Sequence, residues 1–260
     1  WLPPGARLPF VDAGAQPEIA QDLAVSFVGQ SRLKYLHENV LRLSHTLRDL
    51  GGYAPALAKD LECSPGFEPL HSYLARHHSA IQDAIATLAP AFPAHVYYLR
   101  SLLEMALSGA FRIAAIERLL REGIELSLYG DDDWLKVPGV TSKCFKGLFD
   151  PAELPTLYRR SRINLNLNFM QVSSTVNPKV LDISAAGGVV LTDSRPELEL
   201  LYPDPAARPF VFHSLDHLAE KINALRQVDL THHRQAVREH TCRHHTLLQR
   251  AQKLAMCFDL

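Results

Sequence analysis

Short apolar runs along the chain alternate with longer segments in which apolar residues recur at helical spacing. The runs from Leu23 to Gly29 and from Ile124 to Gly130 end in glycine and are typical of buried strands in a parallel sheet. Ser31 and the regularly spaced apolar residues after it predict a helix over residues 31–50. Further strands are predicted at residues 142–146, 162–169, 189–193 and 209–213. Further helices are predicted at residues 70–88, 95–122, 151–160, 178–186, 196–201 and 215–225, with a long one from Thr231.

This alternation predicts an α/β fold, a Rossmann-like parallel sheet with helices on both faces. About 95 residues separate the first two strands, whereas a crossover needs only about 10–12. We therefore predict a helical insertion after the first strand, at about residues 52–110. Residues 1–21 are rich in Pro, Gly and Ala without a regular period, and this pattern predicts an extended linker or hinge before one domain at residues 22–260.

Composition narrows the class of protein. Lys and Arg number 27 and Asp and Glu 28, so no basic excess favours a partner such as nucleic acid or a membrane surface. No apolar run approaches the roughly 18 residues of a membrane span, and the first residues are not a signal peptide. The four cysteines are widely spaced, which favours reduced thiols and a cytoplasmic protein. Because the chain begins with Trp1, we expect it to be a piece of a longer protein.

In an open parallel sheet, ligands bind beyond the carboxyl ends of the strands, and this rule selects four segments. The first is the turn after the first predicted strand, where Gly29 permits close backbone approach and Arg32 could hold a phosphate. A tight turn with a surface arginine is the alternative. The second contains Tyr129, Gly130 and the aspartates at 131–133, which could hold a metal ion. We prefer a solvated acidic loop there, because no His or Glu stands at a ligand-like spacing.

The third segment, residues 164–188, carries the strongest signal. Ser173, Ser174 and Thr175 form a polar loop, and Asn177 then caps a helix that has Pro178 at its first position and Lys179 beside it. Hydroxyls, free amides and one cation at a helix N-terminus suit a diphosphate. A well-capped helix after an ordinary polar loop is the alternative interpretation.

The fourth segment follows the strand at residues 189–193. Asp193 or Glu197 could accept hydrogen bonds from ribose or sugar hydroxyls, or Ser194 and Glu197 could form a capping box. Elsewhere, His240 and His244 have the spacing of a metal-binding pair on a helix but lack an acidic partner. We interpret them as surface or interface residues and predict no metal site.

The order of several segments resembles the C-terminal domain of glycosyltransferases of the two-domain GT-B type, especially the spore-maturation CgeB-like group. The segments are LYGDDDW, YRRSRINLNLN, NPKVLDISAAGGVVLTDSRPELELLYPD, FHSLDHLAEKINAL and REHTCRHHTLLQRAQKL. At the start, LPFVD and LAVSFVGQ are similar to the hinge and first strand of that domain. Relatives often carry a Glu-x7-Glu pattern, but here Asp182 stands near its first position, and Glu197 or Glu199 is the later candidate.

The resemblance implies a hexosyltransferase-like enzyme whose present half binds a nucleotide-diphosphate-sugar donor, without a metal ion or other cofactor. An N-terminal domain would hold the glycan or other acceptor, so this fragment alone is expected to be inactive. Tyr129, Gly130 or the Asp131 loop would border the base, and Glu197 would contact ribose or sugar. The diphosphate would be held by Gly29, Arg32, Ser173, Ser174, Asn177 and Lys179. The alternative is a non-catalytic module of the same fold that mediates protein–protein interaction.

Overall fold

The computed structural model describes residues 4–17, 19–35, 37–38, 79, 82–83, 86, 90, 93–172 and 174–257. Most of the helices predicted at residues 31–50 and 70–88 lies outside the described residues, as does most of the predicted insertion.

Six parallel strands form one sheet in the order β3-β2-β1-β4-β5-β6. The strands are β1 (Leu23–Val28), β2 (Leu126–Tyr129), β3 (Phe145–Gly147), β4 (Ser161–Asn166), β5 (Val190–Asp193) and β6 (Phe210–Phe212). The order reverses at β1, which pairs with β2 on one side and with β4 on the other. This is the doubly wound arrangement of a Rossmann-like domain, and the predicted fold class is confirmed.

Helices cover both faces of the sheet. They are α1 (Leu8–Gly14), α2 (Pro93–Arg121), α3 (Leu154–Arg160), α4 (Pro178–Ala185), α5 (Leu198–Leu201), α6 (Leu215–Leu225), α7 (Thr231–His244) and α8 (Leu247–Cys257). Side chains of α2 and α6 pack in one apolar core, and those of α1, α3, α4, α5 and α7 pack in a second. None of the described helices is long and apolar enough to cross a membrane.

Helix α2 is continuous over 29 residues and enters the core through its C-terminal part. Ala106, Phe111 and Ile116 are fully buried against the sheet. The helix passes residue 110 without a break, so the end of the insertion at about that residue stays a prediction.

The opening of the chain is not extended throughout, and the sequence interpretation is wrong for residues 8–14, which form α1. Phe10 of this helix is buried and stacks on Tyr158, with ring centroids 5.8 Å apart. Just before α1, Arg7 donates to the buried carboxylate of Asp182 through its backbone N at 3.0 Å, Nε at 3.0 Å and Nη2 at 2.8 Å. Contacts distant in sequence therefore order a segment that carries no helical period of its own.

The long helix predicted from Thr231 is wrong in one respect, because it divides into α7 and α8 at His245. The opening segment explains the break. Ala6 donates its N–H to the carbonyl of His245 at 2.6 Å, and Leu247 donates to the carbonyl of Ala6 at 2.9 Å. These bonds pair Ala6 with Thr246 in a short parallel bridge, which a continuous helix could not form.

Candidate functional site

A pocket of about 290 Å³ lies where the strand order reverses, beyond the carboxyl ends of β1 and β4. We call it the switch-point pocket. It is lined by Gly29, Gln30, Arg32, Arg112, Phe169, Asn177, Pro178 and Lys179. Four residues proposed from the sequence, Gly29, Arg32, Asn177 and Lys179, are therefore brought together.

Lys179 is the second residue of α4 and reaches back to the end of β1. Its Nζ donates to the carbonyl of Val28 at 2.5 Å and lies 5.7 Å from the ring centroid of Phe27. A Cβ at Gly29 would lie 3.0 Å from the Phe27 ring, which is a tight contact, and 3.7 Å from Nζ, which is an ordinary one. Gly29 therefore spares the Phe27 ring a tight contact, and its close approach to a ligand stays a prediction.

Arg32 has φ +60°, the single positive φ among the described residues other than glycine. This left-handed conformation costs about 1–2 kcal/mol for a residue with a Cβ, and such strain concentrates at functional sites. The guanidinium lies 4.4 Å from the ring centroid of Phe169, and its buried Nε has no hydrogen-bond partner. The turn therefore holds the arginine against the pocket at a cost in backbone energy.

Arg112 lines the pocket but is not among the site residues predicted from the sequence. It projects from α2, is 4 % exposed, and donates to the carbonyls of Gln30 at 3.0 Å and Leu167 at 3.5 Å. One signal could have found it. Arg112 shares the buried helix face with Ser108 and Ile116, and a charged residue on such a face needs a reason.

Within the described part of the chain, no ion pair joins Arg32, Arg112 or Lys179 to a carboxylate. Burial lowers the pKa of Arg112 to about 10; repulsion from Arg32 acts in the same direction, and the charges of Asp193 and Asp131 oppose it. Burial also lowers the pKa of Lys179 to about 7, reinforced by Arg112 and opposed by Asp182. An anion with more than one charge would relieve both the repulsion and the desolvation.

A buried amide network fixes the start of α4. Asn177 donates its N–H to Asn168 Oδ1 at 2.8 Å and its Nδ2 to Asn166 Oδ1 at 2.9 Å. Asn166 and Asn168 in turn donate to Thr192 Oγ1 at 2.9 and 3.0 Å, and Asn168 N–H donates to Asp193 Oδ1 at 2.8 Å. Asn166, at the end of β4, and Asn168, just after it, therefore set the position of α4 relative to the end of β5.

The helix N-terminus offers fewer free amides than the sequence interpretation assumed. Pro178 has no N–H, Lys179 N–H donates to Asn177 Oδ1 at 3.0 Å, and Val180 N–H donates to the Asn177 carbonyl at 3.1 Å. Asn177 caps the helix as predicted, but the cap occupies these donors. Charge in the pocket therefore comes mainly from side chains.

The loop after β2 is structural rather than part of the pocket lining. Asp131 accepts from Ser31 N–H at 2.8 Å and from Ser31 Oγ at 2.6 Å, and the buried Trp134 donates to the Gly29 carbonyl at 2.8 Å. At Gly130 a Cβ would lie 2.2 Å from that same carbonyl oxygen. Tyr129 packs edge-on against Phe149, with centroids 5.1 Å apart. Among the described residues, no group of His, Cys, Asp and Glu is arranged to hold a metal ion.

Ser174 and Glu197 form a second polar pair that does not line the pocket. Ser174 Oγ donates to Glu197 Oε1 at 2.7 Å, and Glu197 N–H donates to the Ser174 carbonyl at 2.9 Å. The alternative capping box is not formed, because α5 begins without a side-chain cap. Ser173 lies outside the described residues.

The low pKa of Lys179 leads to a measurable pH dependence of stability. The pKa falls from 10.5 to about 7 on folding, so between these values the unfolded chain binds more protons than the folded one. The free energy of unfolding should therefore gain a contribution from this site as the pH rises from about 7 to about 10.5. We would measure the free energy of unfolding in urea at about pH 7 and at about pH 9.5. Its increase between these pH values should be smaller in Lys179→Met than in the wild type. An unchanged difference would show that the ammonium is well hydrated.

Together, the sheet order and the pocket define a Rossmann-like domain with three basic side chains gathered at its switch point. A family model described as glycosyl transferase-like matches residues 109–256, more than half of the chain. The chain belongs to this family. The matched segment begins inside α2 and includes Arg112, Phe169 and Lys179, whereas β1 and Arg32 lie before it. A search of curated proteins finds no match.

Proposed function

We propose that the chain is the donor-binding half of a GT-B glycosyltransferase and binds a nucleotide-diphosphate-sugar in the switch-point pocket. The observation that carries the proposal is the group of three cations, Arg32, Arg112 and Lys179, without a carboxylate partner among the described residues. In a glycosyl transferase-like domain, the donor's diphosphate is the anion that such a site suits best. The closer relation to the CgeB-like group stays a prediction.

Each cation has a role in this proposal. Lys179 Nζ would exchange its bond to the Val28 carbonyl for a phosphate oxygen. Arg32 would donate its unpartnered Nε–H to a phosphate oxygen. Arg112, which donates to the carbonyls of Gln30 and Leu167, would add positive charge. Asn177 would act indirectly by holding the backbone of Lys179 in place.

The same cations account for the chemistry expected of the domain. When the sugar is transferred, the bond between its anomeric carbon and the terminal phosphate oxygen breaks, and the acceptor's nucleophilic atom bonds to that carbon. Negative charge then grows on the departing diphosphate, and fixed positive groups in a pocket partly closed to water stabilise it. The acceptor would be held by a separate domain, and the cations would perform the role that a metal ion has in other transferases.

Glu197 remains our candidate for the ribose or sugar hydroxyls. Its carboxylate is half-buried, and its Oε2 has no hydrogen-bond partner, while Oε1 accepts from Ser174. A hydroxyl group could therefore donate to Oε2 without breaking the existing bond. The pocket geometry lends no such support to Tyr129 or Gly130 as a border of the base.

A nucleotide panel tests the proposal. Thermal-shift and calorimetric titrations would use UDP, GDP, ADP, CMP and dTDP, first without metal and then with magnesium. We expect one nucleoside diphosphate to bind saturably without magnesium, which would also identify the base. The proposal would be wrong if folded protein bound none of these nucleotides. If the same surface instead bound another protein, the chain would be the non-catalytic interaction module.

A further inference from the structure

One aromatic ring contacts two of the three cations of the switch-point pocket. The guanidinium carbons of Arg32 and Arg112 each lie 4.4 Å from the ring centroid of Phe169. Both distances are well inside the range of about 6 Å over which a cation is attracted to the face of an aromatic ring. Phe169 follows β4 and is half-buried in the pocket wall.

The Phe169 ring offsets the repulsion between the two guanidinium groups. Arg32 and Arg112 repel each other, and this repulsion adds to the larger effect of burial in lowering the pKa of Arg112. A carboxylate between them would remove the repulsion, but it would also neutralise the charge that an anionic ligand requires. An aromatic ring attracts both guanidinium groups through its quadrupole and carries no net charge.

We propose that Phe169 is a positioning residue that holds Arg32 and Arg112 in place for the diphosphate while leaving their charge unneutralised. This inference rests on the proposed function. The ring is itself held by α2, because the next residue, Met170, donates its N–H to Ser108 Oγ at 2.9 Å. Ser108 lies one turn before Arg112 on that helix, so ring and guanidinium share one support.

The test compares Phe169→Leu with Phe169→Tyr. Leucine removes the aromatic face and keeps an apolar side chain, whereas tyrosine keeps the face. We expect Phe169→Leu to weaken the binding of inorganic pyrophosphate, and of the nucleoside diphosphate that binds the wild type, about five- to tenfold. Phe169→Tyr should bind within about twofold of the wild type. Phe149→Leu is the matched control, because Phe149 is half-buried outside the pocket and contacts Tyr129 instead.

An NMR measurement without ligand separates this inference from the proposed function. In the wild type and in Phe169→Tyr, the side-chain protons of Arg32 and Arg112 should be shifted upfield by the ring. Phe169→Leu should abolish this shift and leave only the smaller effects of Tyr35, 5.8 Å from Arg32, and of Phe27, 6.0 Å from Arg112. If the shift disappears in folded Phe169→Leu but pyrophosphate affinity is unchanged, the positioning role is wrong. If the wild type shows the shift but binds neither pyrophosphate nor any nucleotide of the panel, the proposed function is wrong. The positioning role, which depends on it, is then wrong as well.

Discussion

Replacing Lys179 with methionine is expected to weaken nucleoside diphosphate binding about 100-fold, equivalent to about 2.7 kcal/mol. The reason is that Lys179 Nζ is the cation nearest the end of β1, and it reaches the pocket from the start of α4. Methionine preserves the length and most of the packing of the side chain but removes the charge. Isothermal titration calorimetry at neutral pH measures the loss directly.

Stability should change in the opposite direction. Lys179 has no carboxylate partner among the described residues, and burial already lowers its pKa to about 7. Methionine in its place should therefore leave the free energy of unfolding at neutral pH unchanged or higher, a trade-off typical of functional sites. Lys143→Met, at an exposed lysine, is the control that should change neither quantity. A Lys179→Met protein that bound the diphosphate normally would remove this lysine from the site.

Removing the carboxylate of Asp182 is expected to have the opposite profile, with a large loss of stability. Binding should weaken much less than in Lys179→Met, and only because Asp182 no longer raises the pKa of Lys179. Asp182 is 1 % exposed and accepts three hydrogen bonds from Arg7, which hold the opening segment and α1 on the domain. We expect Asp182→Ala to lower the free energy of unfolding by about 2–3 kcal/mol, as measured by urea unfolding.

The partner residue provides the control for this prediction. Arg7→Ala should destabilise less, because its backbone N–H still donates to Asp182 and its own side chain is half-exposed. Combined with Asp182→Ala, it should add little further loss, since both changes break the same contact. By the resemblance to GT-B glycosyltransferases, Asp182 stands near the first position of their Glu-x7-Glu pattern. If Asp182→Ala stayed stable but lost diphosphate binding, that position would belong to the site after all.

The elements that the sequence predicted well are those whose signals are local. The cap and first residue of α4, Asn177 and Pro178, stand next to each other in the chain, so the helix start could be found from residue types alone. The glycine-terminated strands β1 and β2 could be found for the same reason, and the parallel order follows from their alternation with helices. Because ligands bind beyond the carboxyl ends of parallel strands, Arg32 and Lys179 could be predicted to lie at the same end of the sheet.

What could not be predicted depends on contacts between residues far apart in sequence. Helix α1 and the break at His245 both arise where the opening segment meets the end of the chain. An arginine on an apolar helix face marks Arg112 as unusual, but its place in the pocket depends on the packing of α2 near the carboxyl ends of β1 and β4. The occupied amides of α4 likewise follow from the position of Asn177 in the folded chain.

The most direct test of the central claim is a crystal structure of the chain with the nucleoside diphosphate that the panel selects. We expect phosphate oxygens within about 2.7–3.2 Å of Lys179 Nζ and of a guanidinium nitrogen of Arg32 or Arg112, with Phe169 still against both arginines. A diphosphate bound elsewhere would contradict the account. The clearest such place is the basic groove lined by Arg243, Arg250 and Lys253, which lies apart from the switch-point pocket.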